Sequence, residues 1–269
     1  MRLEVDFTKG IRENADAYYA LSKKSKKKLD GLARGVKEIE RKMLLEERKK
    51  IAPKKAIKKR ERKWFEKFHW FYTSEGFLVI SGRDAKSNDN VVKNLMEKND
   101  IYFHADIHGA PHTILKTEGK KPGEISKKEA AIFAAVFSKA WQQQLGAIDV
   151  YSARPEQVSK SAPTGESIGT GAFMIYGERE WFRKTPLEFA LGVSNKEGEL
   201  EVFSGPVFSV RKKADIFVLL SFGESPKGEA AKKILGILRN KLGKDAPITL
   251  DDIMALLPNG EIRATIPNN

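Results

Sequence analysis

Residues 9 to about 51 contain no proline, and their apolar side chains fall in one narrow seam. Ile11, Ala15, Tyr18, Leu21, Leu29, Leu32, Val36, Ile39, Met43 and Leu44 recur mostly at steps of three and four, with Lys and Glu between them. That is the period of a helix. At 1.5 Å per residue the helix would be on the order of 60 Å long. A seam so narrow needs a second helix to cover it. KKAIKKRERKWFEKF, residues 54–68, has a helical composition but is too short to do so. The covering helix is expected from another part of a longer chain, or from a second copy in a homodimer.

The charge is as uneven as the hydrophobicity. Residues 1–69 carry 23 Lys and Arg against 11 Asp and Glu, and the remaining 200 residues carry 26 against 25. A basic arm on a near-neutral body is the electrostatic footprint of a polyanion binder. The alternative is a solvated lysine-rich helix face, but the imbalance is too local for that to be preferred. Without cysteine there are no disulfides, no Cys-type zinc sites and no thiol catalysis. No run of 18 apolar residues offers a membrane span. MRLEVDFTKG lacks the apolar stretch of a signal peptide, so a cytoplasmic protein is expected.

Beyond Pro53 the pattern becomes that of a mixed α/β body. The aromatic-rich stretch Trp64–Tyr72 can anchor a helix to a core, the commoner use, or stack on bases. A strand follows over 77–80, then a helix over 89–98 capped by Ser87 or Asn88. IYFHAD and PHTILK read as strands around the breaker Gly109. A helix over 126–145 has Ser126 as N-cap and Glu129 at the capping-box position. AIDVYSA reads as a strand, and KSAPTGESIGTGAFMIYG as a loop leading into one. After a soft boundary near 192–197 come three strands, ELEVFSG, PVFSVRK and DIFVLLSFG. Helices near 227–242 and 249–257 follow, and an LPNG turn closes the chain.

Three polar clusters stand out. YFHADIHGAPH, residues 102–112, holds three of the four histidines. Helical spacing would align them, but Gly109 and Pro111 forbid a continuous helix. On a strand, Tyr102, His104 and Asp106 share one face and Ile101, Phe103 and Ala105 the other. His104, Asp106 and His112 could meet across a hairpin as a zinc or iron set, and a metal-dependent enzyme is the alternative this raises. RNA contacts, or hydrogen bonds that order a loop, fit neutral imidazoles equally well. SGRDAKSNDN, residues 81–90, offers Arg83 for phosphate or carboxylate and Asn88, Asp89 and Asn90 at a helix start. A capped turn with an Arg–Asp pair explains it as simply. KSAPTGESIGTG, residues 160–171, has the composition of a phosphate-contacting loop but is not a Walker loop. No Gly-x-Ser-x-Gly, HExxH or carboxylate pair specifies a catalytic mechanism.

WFEKFHWFYTSEGFLVISGRDAKSNDNVV, NDIYFHADIHGAPHTILK and VSKSAPTGESIGTGAFMIYGE, in that order, resemble the NFACT-R domain of the NEMF/RqcH family of ribosome quality-control proteins, also described as fibronectin-binding-like. VDFTKGIRENADAYYALSKKSKKK is similar to the opening of that family's coiled coil. The resemblance spans roughly residues 4–190, and the LLPNG tail is similar to the archaeal and eukaryotic branch. Together with the patterns above, it gives an expected α+β fold: a coiled-coil-type helical arm over 1–69, an NFACT-R body over 70–192, and, from the pattern alone, a C-terminal α/β extension over 193–269 packed on that body. It implies binding to obstructed large ribosomal subunits and tRNA, with mRNA-independent C-terminal tailing, and it calls for no cofactor, metal or membrane. The family's Gly-Arg-Asp…Asn motif falls on Gly82, Arg83, Asp84, Asn88 and Asp89. Its His-Ala-Asp motif falls on His104, Asp106 and Gly109, with His112 and Lys116 beyond. Its Lys-x-Ala-Pro-Thr-Gly motif falls on Lys160, Pro163, Thr164 and Gly165. These give the expected RNA-binding residues, and Lys54, Lys55, Lys58, Lys59 and Arg60 give the expected phosphate contacts of the arm. Arg83, His104, His112 and Lys160 are expected on one polar face. The residues given do not match the family's NFACT-N and helix-hairpin-helix regions, so RNA affinity is expected without the complete tailing activity.

Overall fold

A computed structural model describes residues 4–51, 63–161, 168–196, 199–243 and 245–267. The chain forms two compact units, residues 1–59 and 60–269.

In the first unit, α1 (Ile11–Ile51) is one helix of 41 residues. The residues before it fold back on its opening turns. The Tyr18 hydroxyl accepts the Glu4 amide at 2.9 Å and donates to the Glu4 carbonyl at 2.6 Å. Asn14 accepts the Asp6 amide at 2.9 Å, which holds the preceding segment against the helix, and the Glu13 carboxylate accepts the Gly10 amide at 2.9 Å at the helix start. Along the described part of the apolar seam, Leu29, Leu32, Val36 and Ile39 are each at least half exposed.

The second unit is a mixed α/β body whose strand pairs are all antiparallel. Its elements in chain order are β1 (His69–Tyr72), β2 (Leu78–Ser81), α2 (Ala85–Asn90), β3 (Ile101–Ala105), β4 (Thr113–Lys116), α3 (Glu124–Val136), α4 (Lys139–Gln142), β5 (Ala147–Ala153), β6 (Val158–Ser159), β7 (Met174–Ile175), β8 (Glu180–Pro186), β9 (Phe189–Lys196), β10 (Glu199–Pro206), α5 (Val207–Lys213), β11 (Ile216–Pro226), α6 (Lys227–Leu242), α7 (Leu250–Leu256) and β12 (Glu261–Thr265). One sheet has the order β1-β2-β4-β3-β5-β8, a second β10-β9-β11-β12, and β6 pairs with β7.

The alternation along β3 decides how the first sheet is used. Phe103 and Ala105 join the main core, where α3 lies against strands of both sheets. Phe133 of α3 meets Phe71 of β1 and Phe189 of β9, with ring centroids 4.6 and 6.0 Å away. Tyr102 faces the opposite side, where Ile80, Ile114 and Tyr151 pack with Phe65, Phe68, Trp70 and the Val91–Val92 turn after α2. The aromatic-rich stretch is therefore mainly a core anchor: Phe65, Phe68, Trp70 and Phe71 are buried, and Trp64 is exposed.

Several expected elements differ. α2 starts earlier, with Asp84 as N-cap in a capping box with Ser87. α3 begins at Glu124, because Ser126 and Glu129 serve the β1–β2 turn instead of a helix end. Ser126 Oγ donates to Thr73 Oγ1 at 3.0 Å, and Glu129 Oε2 accepts the Ser74 amide at 2.8 Å. PVFSVRK is not a strand but helix α5. Its Val210 packs beside Gly192, and Lys213 donates to the carbonyls of Tyr72 and Thr73 at 2.8 and 2.7 Å. LPNG does not close the fold, since β12 follows it and pairs with β11. The expected division at 192/193 falls inside β9.

Candidate nucleic-acid interface

α2 is placed by its own first turn. The Asp84 carboxylate accepts the Ser87 amide at 2.7 Å, and Ser87 Oγ accepts the Asp84 amide at 2.9 Å. Gly82 is required beside it, because an added Cβ would lie 2.0 Å from Asn88 Oδ1. That approach lets Asn88 Oδ1 accept the backbone amide of His112 at 3.0 Å. One turn of sequence therefore fixes the start of β4 through a side chain and a missing side chain.

His112 is buried between two partners. Its Nε2 donates to the Gly171 carbonyl at 2.7 Å, which leaves Nδ1 as the acceptor of the Tyr102 hydroxyl. Burial lowers the His112 pKa, with the Gly171 carbonyl pulling the other way. His104 lies 5.1 Å from His112 by ring centroid, and burial together with that neighbour lowers its pKa to about 3. Both imidazoles are neutral at physiological pH. Asp106 is exposed, and its amide donates to the Asp149 carbonyl at 2.8 Å. Because both ring nitrogens of His112 are taken, the His104, Asp106 and His112 metal set does not form. Among the described residues there is no cluster fit to hold a metal ion.

Asp89 ties the third motif to the second. Its Oδ1 accepts the Gly171 amide at 2.8 Å and lies 3.1 Å from Lys160 Nζ, while Oδ2 pairs with Lys93 at 2.7 Å. Lys93, and after it the Gly171 amide and Lys160, hold the Asp89 carboxyl down at about 2. Lys160 also donates to the carbonyls of Gly169 and Ala172, at 2.8 and 2.9 Å, and sits 4.7 Å over the Phe173 ring. Asn88, Asp89, His112 and Lys160 thus form one hydrogen-bonded network around Gly171, with His104 alongside.

Two expected members lie elsewhere. Arg83 directs its guanidinium away, donating to the carbonyls of Phe68 at 2.9 Å and Ala255 at 3.3 Å. The single face expected to join Arg83 to the histidines and Lys160 is thus not formed by its side chain. Lys116 is a buried structural cation that pairs with Asp100 at 2.6 Å and donates to the Leu95 carbonyl at 2.8 Å. Thr164, with Pro163 and Gly165, lies outside the described residues, as do Lys54, Lys55, Lys58, Lys59 and Arg60.

Across the same sheet face runs a row that sequence reasoning missed. His104 of β3 pairs in register with Tyr151 of β5, and Tyr151 with Trp181 of β8. Their rings are 5.7 and 5.4 Å apart. Arg179 lies 4.5 Å over Tyr151, and Arg183 lies 4.0 Å over Trp181. The signal was present in EREWFRK, where Arg179, Trp181 and Arg183 recur at the period of a strand.

The network and the row lie within, or directly beside, residues that match a known family. Residues 67–177 match the NFACT protein RNA binding domain. The archaeal Rqc2 homolog aRqcH of Methanocaldococcus jannaschii is 43% identical over 216 residues, covering 80% of this chain and 31% of that protein. The ribosome quality control complex subunit NEMF homolog of Drosophila melanogaster is 37% identical over 198 residues, 71% of this chain and 20% of that one. Human ribosome quality control complex subunit NEMF is 38% identical over 176 residues, 62% and 16%. The chain therefore spans less than a third of the length of these relatives. It belongs to the Rqc2/NEMF/RqcH family, and residues 67–177 are its NFACT RNA binding domain.

Proposed function

We propose that this chain is the non-enzymatic RNA-binding part of a cytoplasmic ribosome quality-control factor, one that engages rRNA of obstructed large subunits, or the tRNA on them, and supports C-terminal tailing. The observation that carries this reading is that Asn88 and Asp89, His112, and Lys160 with Gly171, drawn from three separate motifs, meet in one network within an RNA binding domain. The network is already internally satisfied, so its contribution is to hold a surface in shape. Direct phosphate contacts fall to the arm, whose charge of 23 basic against 11 acidic residues over 1–69 suits a polyanion.

The test is binding of the full chain to tRNA and to isolated large ribosomal subunits, titrated across salt. Beside it is measured a full chain with Lys54, Lys55, Lys58, Lys59 and Arg60 replaced by Gln. The expected result is a steep loss of affinity with salt for the parent. For the variant the log–log slope should be shallower by roughly 0.7–0.9 for each phosphate contact removed. No binding of the parent to either RNA at moderate salt would overturn the proposal.

A further inference from the structure

From the row on the sheet face we infer that His104, Tyr151 and Trp181, with Arg179 and Arg183, form a stacking platform for unpaired RNA nucleotides. This inference rests on the RNA-binding reading and names the form of RNA that this face takes. Arg179 and Arg183 lie just past the matched residues 67–177, so the domain match does not assign them.

The chemistry favours bases over duplex backbone. The three rings come from three neighbouring strands, and the side chains of registered partners share a sheet face. Trp181 and His104 are partly exposed, while Tyr151 is buried beneath Arg179. Each arginine is held over a ring and exposed to solvent, presenting a planar cation on which a base can stack. Arg183 is further fixed by Asp149, 2.7 Å from its Nη1, and the Lys184 amide donates to the other Asp149 oxygen at 2.7 Å. Among the described residues no carboxylate pairs with Arg179. A trap for phosphate alone would not keep Asp106 and Asp149 at this end of the sheet. A π surface flanked by two planar cations tolerates them, because stacking is not driven by net charge.

The experiment uses the full chain with two labelled RNAs, an unstructured single strand of about 12 nucleotides and a duplex of the same length. Trp181→Ala is expected to weaken single-strand binding about tenfold and leave duplex binding unchanged. Trp181→Phe keeps a ring and should recover most of the loss. Arg183→Lys keeps the charge on an exposed position, so it should fold and retain the salt slope while losing several-fold in single-strand affinity. RNA should also quench tryptophan emission in the parent, and the Trp181→Phe variant should lose most of that quench. If the parent binds single strands and Trp181→Ala and Arg183→Lys bind them equally well, the platform is wrong and the broader RNA-binding reading stands. If the parent binds tRNA or large subunits but not the short single strand, the platform is wrong and the broader reading stands; if it binds none of these RNAs, both readings fall.

Discussion

Lys160 and Asp89 stand 71 residues apart in the chain and meet side chain to side chain, with Nζ 3.1 Å from Oδ1. The contact ties the residue that follows β6 to the last turn of α2. Both residues are partly screened from water, and Asp89 carries the Gly171 amide and Lys93 as well.

This arrangement gives a signed pH dependence. The Asp89 carboxyl falls from an ordinary 3.8 to about 2, chiefly through Lys93. A lowered folded-state value favours the ionised group, so its contribution is complete above the ordinary value and is lost as pH falls through about 2. Asp89→Asn should lower stability by about 1–2 kcal/mol at neutral pH. Urea unfolding across acid pH should show a shallower acid limb for the variant. An unchanged limb would mean that Asp89 is not coupled to folding.

The histidines act in a different window. Burial lowers both His104 and His112 from an ordinary 6.5, His104 to about 3. The unfolded chain therefore takes up protons first as pH drops. The stability these neutral rings contribute is full above about pH 6.5 and falls progressively below it. His112→Ala should cost roughly 2–4 kcal/mol, because it leaves the buried Tyr102 hydroxyl and Gly171 carbonyl without their partner. It should also flatten stability between pH 7 and about 5. Denaturant midpoints at the two pH values, parent against variant, read both effects. Equal pH dependence in the two proteins would sink the assignment.

Lys116 separates architecture from binding. Its side chain is 9% exposed and faces Asp100, which is 1% exposed. Lys116→Met removes the buried cation and leaves the Asp100 carboxylate with the Glu97 and Thr117 amides, at 2.8 and 3.0 Å, and should cost about 3 kcal/mol. The surviving folded fraction should bind RNA with parental affinity, as measured by titration at a temperature well below the melt. A selective loss of RNA affinity with unchanged stability would instead return Lys116 to the interface.

How much of this was legible in the sequence depends on where each residue's partner sits. The seam of α1 as far as Ile39, the alternation of β3 and most strands follow from local period, and the structure carries them. The Ser126–Glu129 spacing is that of a capping box, yet its partners Thr73 and Ser74 lie more than 50 residues away, and no local rule sees them. PVFSVRK has strand composition, but Val210 has to pack beside Gly192 and Lys213 has to reach β1, so tertiary contacts win over propensity. Lys116 and Arg83 were legible as cations but not as buried or inward-directed ones. The Arg179–Trp181–Arg183 period was legible, but a period of two marks any strand face, and only the register with Tyr151 and His104 joins it to a row.

The exposed seam of α1 yields the last prediction. Leu32 and Val36 lie four residues apart on the same stripe and are more than half exposed. Apolar seams of this form associate when a second one is available. Among the described residues no second seam of this form is present, so a second copy is the expected partner and mass by light scattering should rise with concentration. Leu32→Glu combined with Val36→Glu should hold the chain at its monomer mass. The excess of basic residues on this arm opposes pairing of like arms, so self-association should strengthen as salt screens that repulsion. RNA binding by the same arm should weaken under the same change, and the opposite slopes keep the two effects apart in one salt series. A parent that stays monomeric at every concentration and salt would assign the seam's partner to the rest of the longer proteins in which this region is found.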